Sequence, residues 1–184
     1  YGNKAPRIYL LHGELTDEQM NSLYNHPKVK AMVSFTKGEG FGRPLLEFTL
    51  SEKPVLASKC SGHKDFLKHA HTLVGEETEI DKSAVDKFLI AGSKWFTVNY
   101  GYAANTMRDC VDNYKNYLKA AKRQAYHSKT EFSFDAMSDK FCEYIDAGLE
   151  SVPQQIQLKL PQLKKVSSSE QPKLKLPQLK KVEV

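Results

Sequence analysis

"VKAMVSFTKGEGFGRPLLEFTLSEKPVLAS", residues 29 to 58, holds an apolar run, a glycine-rich turn, a helical pattern and a second apolar run. "VKAMVSF" (29 to 35) is apolar enough to be a strand covered on both faces. Pro44 falls where the first turn of a helix tolerates it, and "LLEFTLS" continues that helix. "KPVLAS" (53 to 58) is then a further strand. A strand, a tight turn, a helix and a strand in thirty residues form a βαβ unit, which demands a parallel sheet.

The flanking segments extend the pattern. "IYLLHGEL" (8 to 15) reads as a short buried strand. Thr16 and Gln19 match a capping box and open a helix running to about Asn25. "HTLVG" (71 to 75) reads as a fourth strand, and Ser83 as the cap of a helix "AVDKFLI". The stretch from about Ala103 to Gln124 is long and helical, and "FDAMSDKFCEYID" (134 to 146) is a last amphipathic helix. Strand and helix alternate with short connections, so the expected fold is α/β, a Rossmann-like parallel sheet flanked by helices.

Length and composition bound this reading. The chain has 184 residues, 40% of them hydrophobic and 27% charged, as in a water-exposed globular domain. That suffices for one domain with a sizeable core. No apolar run approaches the ~18 residues of a membrane span. Cys60, Cys110 and Cys142 are widely spaced without a CxxC, which argues against a disulfide framework or a zinc site and for a reducing, cytoplasmic compartment. The chain opens on Tyr1 rather than Met, and an upstream portion is expected.

The net charge of +5 is unevenly placed. From Ser151 onward there are seven lysines against Glu170 and Glu183, so residues 1–150 are formally neutral. A basic pI ordinarily points to nucleic acid, but here the body offers no such surface. "LKLPQLKKV" occurs at 158 to 166 and again at 174 to 182, with Pro161 and Pro177 forbidding a continuous helix. The expected organisation is a folded domain at 1–150 and a basic Leu/Lys/Pro-repeat tail at 151–184. The tail is a solvated segment or a docking element for an acidic surface or partner.

The glycine-rich turn carries the chemistry. Glycines let a ligand approach the backbone, and the first amides of the following helix favour an anion such as a diphosphate. Gly42, Arg43, Leu45 and Leu46 are expected to offer those amides. Glu39 and Glu47 would repel phosphate, so they fit a ligand that also carries hydroxyls. A carboxylate accepts bidentately from a vicinal diol, as in dinucleotide folds. A nucleotide-sugar has hydroxyls on both sides of its diphosphate.

"EGFGRPLLE" (39 to 47) resembles the Glu-x7-Glu signature of retaining glycosyltransferases of the GT-B fold, most closely glycosyltransferase family 4. "GELTDEQMNSLYNH" before it, "EKPVLASKCSGHKDFL" after it and "FSFDAMSDKFCEYID" near the end are similar to the family's neighbouring segments. The resemblance covers roughly residues 8 to 146 and corresponds to the C-terminal, donor-binding half of such an enzyme. It implies transfer of a hexosyl group from a nucleotide-diphosphate sugar, with retention, to a glycan or glycoconjugate acceptor.

The resemblance implies that Glu39 is catalytic, contacting the transferred sugar and stabilising positive charge at its anomeric carbon. Gly40, Phe41, Gly42, Arg43, Pro44 and Leu45 would hold the distal phosphate, Glu47 the ribose diol, and Leu15 the base. No cofactor is implied beyond the nucleotide-sugar substrate. No DxD triplet occurs, consistent with the family's independence from metal. The basic pair that usually meets the phosphates, and the acceptor-binding domain, would lie upstream. Departures are Ser61-Gly62 with Asp65 in place of a Gly-Gly turn, and Lys53 where glycine is common. Two other readings fit the same residues: a non-catalytic binding or scaffold module that retains the fold, and a nucleotide-sugar epimerase of the same fold. The histidines gather into no site, and the aromatics of "WFTVNYGY" are expected to be packing residues.

Overall fold

The computed structural model describes residues 6–152. Compact packing divides the chain after Ile145, and the first unit, Tyr1–Ile145, holds the sheet and both cavities described below. Of the basic tail at 151–184, all but Ser151 and Val152 lies outside the described residues.

The elements of the βαβ unit form as expected. Helix α1 (Asp17–Asn25) opens with the Thr16 capping box, in which Gln19 N–H donates to Thr16 Oγ1 and Thr16 N–H to Gln19 Oε1. Strand β1 (Met32–Ser34) leads through the glycine-rich loop into α2 (Arg43–Thr49), with Pro44 in its first turn. Strand β2 (Val55–Ser58) follows, then β3 (His71–Leu73). These three make a parallel sheet in the order β1-β2-β3, with Val33 opposite Leu56 and Ala57 opposite Thr72. The fold is α/β and Rossmann-like, a parallel sheet flanked by helices.

Strand β2 is buried along its whole length because both its faces are covered. Alternation sends Val55 and Ala57 into one apolar cluster with Leu45, Phe48, Phe66 and Leu67. Leu56 joins the other, with Leu73, Val98, Ala103, Cys110 and Tyr117. The two clusters are the two faces of one central strand.

Five expectations are corrected. Residues 8 to 15 are not a strand: Ile8, Tyr9, Leu10 and Leu11 are exposed and pair with no neighbour. Apolar alternation supplies a buried face only where an adjacent strand takes the backbone bonds, and none among the described residues does. The helix expected after Ser83 is a single tight turn, Lys82–Ala84, capped by Asp81 rather than Ser83. Asp86 then binds the amides of Phe88 and Leu89, and side-chain acceptors of this kind compete with helix. The long helix is two, α3 (Tyr100–Asp112) and α4 (Tyr114–Glu131), parted at Asn113. Finally, β4 (Gly75–Glu79) and β5 (Lys94–Val98) form an antiparallel pair, so Trp95 and Phe96 belong to a strand. Helix α5 (Phe134–Ser151) is longer than the expected 134–146.

Buried polar side chains tie α4 to the rest. Gln124 accepts from His69 N–H and donates to the Phe66 carbonyl, both at 2.7 Å. Thr49 Oγ1 donates to Ser128 Oγ at 2.8 Å, joining α2 to α4. Lys53, the departure from glycine, caps α1: its Nζ donates to the Tyr24 and His26 carbonyls at 2.7 and 2.8 Å. A cation is well placed against the last carbonyls of a helix.

Candidate functional site

The glycine-rich loop is held at several points by backbone and hydroxyl bonds. Ser58 Oγ donates to the Thr36 carbonyl (2.8 Å), and Phe96 N–H to the Lys37 carbonyl (3.1 Å). Glu39 is gripped on both sides: its N–H donates to Ser61 Oγ at 2.8 Å and its carbonyl accepts from Gly62 N–H at 3.1 Å. The Ser61-Gly62 turn therefore sets the position of Glu39, whose carboxylate makes no bond among the described residues. Ser61 adopts φ of 46°, a conformation disfavoured for a side-chain-bearing residue and held here by these contacts. A Cβ at Gly62 would lie 1.9 Å from the Gly40 carbonyl oxygen, so only glycine lets the two turns approach.

Gly42 is the second position that excludes a side chain. It caps α2 with φ of 88°, and a Cβ there would meet His63 Cβ at 3.0 Å. Phe41 anchors the loop from below, its ring centroid 5.1 Å from that of Phe66 and 6.3 Å from that of Phe132. His63 is fully buried, with Nε2 2.6 Å from the Ser58 carbonyl.

The amides differ from the expectation. Leu45 and Leu46 both donate to the Gly42 carbonyl, at 2.9 and 3.2 Å, so neither faces a ligand, and the Leu45 side chain is in the core. A short helix that closes its first turn on its own cap residue uses up those donors. The amides of Gly40, Phe41, Gly42 and Arg43 have no partner among the described residues.

Leu15, Arg43, Pro44 and Glu47 come together, lining one cleft of about 550 Å³ between α1 and α2. Glu39, Gly40, Phe41 and Gly42 lie in the loop that leads to it rather than in its wall. Arg43 Nε meets Glu47 Oε1 at 3.0 Å, an exposed i,i+4 pair. The other wall went unnoticed in the sequence: Asp17, Met20, Asn21, Tyr24 and Asn25 all face the cleft. Their spacing of three and four residues marks a single face of α1, and was the available signal. Burial pushes the Tyr24 hydroxyl pKa above its ordinary value, with the Glu47 charge adding to the rise and Arg43 opposing it. No group of three or more metal-ligating side chains occurs among the described residues.

A Rossmann-like α/β sheet with a cleft beside the loop after its first strand is the class of ligand-binding domain that the geometry defines. Residues 8–91 match the family model of the glycosyl transferases group 1, which supports a role in glycosyl transfer. That span contains the cleft, the glycine-rich loop and the Ser61-Gly62 turn. No curated protein matches the chain. No helix among the described residues is long and apolar enough to cross a membrane.

Proposed function

We propose that residues 1–150 form the donor-binding domain of a retaining glycosyltransferase that takes a nucleotide-diphosphate sugar. The observation that carries this reading is the cleft itself. It gathers Leu15, Arg43, Pro44 and Glu47 next to a loop whose four free amides begin at Gly40. The nucleoside occupies the cleft, its base against Leu15 and its ribose diol on Glu47. The distal phosphate sits on the amides of Gly40 to Arg43. Arg43, paired with Glu47, lends a cation that neutralises charge on either side. Glu39, fixed at its backbone by Ser61 and Gly62, presents a free carboxylate to the transferred hexosyl group and stabilises positive charge at the anomeric carbon. Preorganised amides meet the charge that develops on the departing diphosphate.

An upstream domain presents a glycan or glycoconjugate acceptor, no metal takes part, and the enzyme works in the cytoplasm. The tail at 151–184 contacts an acidic surface or partner. Calorimetric titration with UDP-, GDP- and ADP-sugars tests the reading. One of the three is expected to bind, and binding by none of them would overturn it.

A further inference from the structure

A second cavity, of about 420 Å³, lies on the other flank of the glycine-rich loop, between the Ser61 turn and the β4–β5 pair. It is lined by Lys37, Lys59, Lys64 and Lys94 and by Glu76 and Glu77. Among the described residues none of these six charged groups forms an ion pair or a side-chain hydrogen bond. The one contact made by a charged head is that of Lys37 Nζ, 3.9 Å from the centroid of the Trp95 ring. A cavity with four lysines among its lining residues stands out on a body that is formally neutral. Such a concavity concentrates anions.

A glutamate in the lining narrows the class of anion: Glu76 and Glu77 are neighbours on β4 and point to opposite faces, so one of the two turns its carboxylate to the cavity. Beside a bare phosphate that carboxylate would only repel. A ligand carrying hydroxyls as well as a negative group uses both kinds of wall: the carboxylate and the Ser61 hydroxyl take the hydroxyls, and the lysines take the charge. The cavity also sits against the segment that fixes Glu39, since Lys37 is two residues before it and Ser61 holds its amide.

We infer that this lysine pocket holds the charged end of an anionic saccharide, bearing a phosphate or a carboxylate, which the upstream domain presents as the acceptor of the transfer. The assignment of that saccharide as acceptor rests on the donor reading above. The binding itself does not.

The test uses the 184-residue chain and four probes in calorimetry: glucose 6-phosphate, glucuronate, glucose and inorganic phosphate. At least one charged sugar is expected to bind, with glucose and inorganic phosphate each roughly tenfold weaker or more, as the loss of charge-assisted bonds implies. Binding of glucose 6-phosphate alone marks a phosphorylated saccharide, and of glucuronate alone a uronate. Binding of both marks the shared charge. The variant Lys59→Gln/Lys64→Gln, altered only at exposed side chains, should lose roughly tenfold or more in that affinity. Its affinity for whichever of UDP, GDP and ADP the parent binds should stay as it was. Three results would overturn the inference: no charged sugar binds, glucose or inorganic phosphate binds equally well, or the variant binds as the parent does. UDP, GDP and ADP titrated alone keep the two readings apart. Charged sugars bound with none of the three nucleotides sink the donor reading, and a nucleotide bound without charged sugars sinks this one.

Discussion

Glu47 enters the cleft already paired with Arg43, and this sets what its replacement should do. Glu47→Gln keeps the shape but cannot accept from both hydroxyls of a diol. Nucleotide-sugar affinity should fall by about 1.5–3 kcal/mol, the range for bonds to a charged group. The exposed ion pair contributes at most about 1 kcal/mol, so thermal stability should hardly move. Calorimetry and a melting curve together check this, and an unchanged affinity would remove Glu47 from the site. Gly62 makes the sharper steric case. In Gly62→Ala the new Cβ would meet the Gly40 carbonyl at 1.9 Å, so one turn must retreat from the other. Overpacking of this sort costs about 1–3 kcal/mol, which lowers Tm by roughly 2–12 °C. Since Ser61 and Gly62 hold Glu39, donor affinity should fall along with Tm. A variant that melts and binds like the parent would show that the loop tolerates the shift.

Among the elements, α4 is fixed by hydrogen bonds that its sequence does not advertise. Gln124 lies buried in a helix otherwise rich in exposed lysine, and both ends of its amide are used. Gln124→Leu fills the volume but leaves the His69 N–H and the Phe66 carbonyl without partners. Each orphaned group costs about 1–3 kcal/mol, so denaturant midpoints should drop clearly while the donor cleft, on α1 and α2, keeps its affinity. Loss of donor binding at full folding would mean that α4 reaches the site. The elements legible in the sequence were those with local signatures. The Thr16-Gln19 capping box, Pro44 in the first turn of α2 and the apolar run of β2 each state their structure within a few residues. The hairpin of β4 and β5 has no such signature, because its strands are joined by a long connection rather than a tight turn.

For the molecule as a whole, acid stability should depend on a side chain outside both cavities. His71 stacks on Tyr117 with ring centroids 3.9 Å apart, and its Nε2 is buried without a partner. Burial lowers its pKa from the ordinary 6.5, against a smaller opposing pull from Asp109. The unfolded chain therefore takes up that proton first as pH falls. Stability should decline as pH drops through about 6.5 and level off below the folded-state value. Asp109, held below its ordinary 3.8 by hydrogen bonds from Tyr117 and Asn113, acts only at lower pH and lies outside this window. His71→Phe keeps the stacking and removes the titration. Urea midpoints at pH 7.5 and 5.5 should differ less in the variant than in the parent, and an equal difference would assign the effect to another group.

Residues 29 to 58 alone determined the β-loop-α-β unit, and with it the parallel sheet, because strand period, proline placement and glycine content act over a few residues. The carboxylates at 39 and 47 were legible for the same reason, as a fixed spacing across one turn and the start of one helix. Tertiary structure decided what depends on partners distant in the chain. The run at 8 to 15 has the apolar content of a strand yet stays exposed, since a strand exists only against a neighbour. Lys53 became a helix cap because α1 ends beside it, 27 residues upstream. The four lysines of the second cavity come from β1's trailing loop, the segment after β2 and the start of β5, and only folding brings them to one cavity. Coulomb and steric forces act through space, while sequence records only order along the chain.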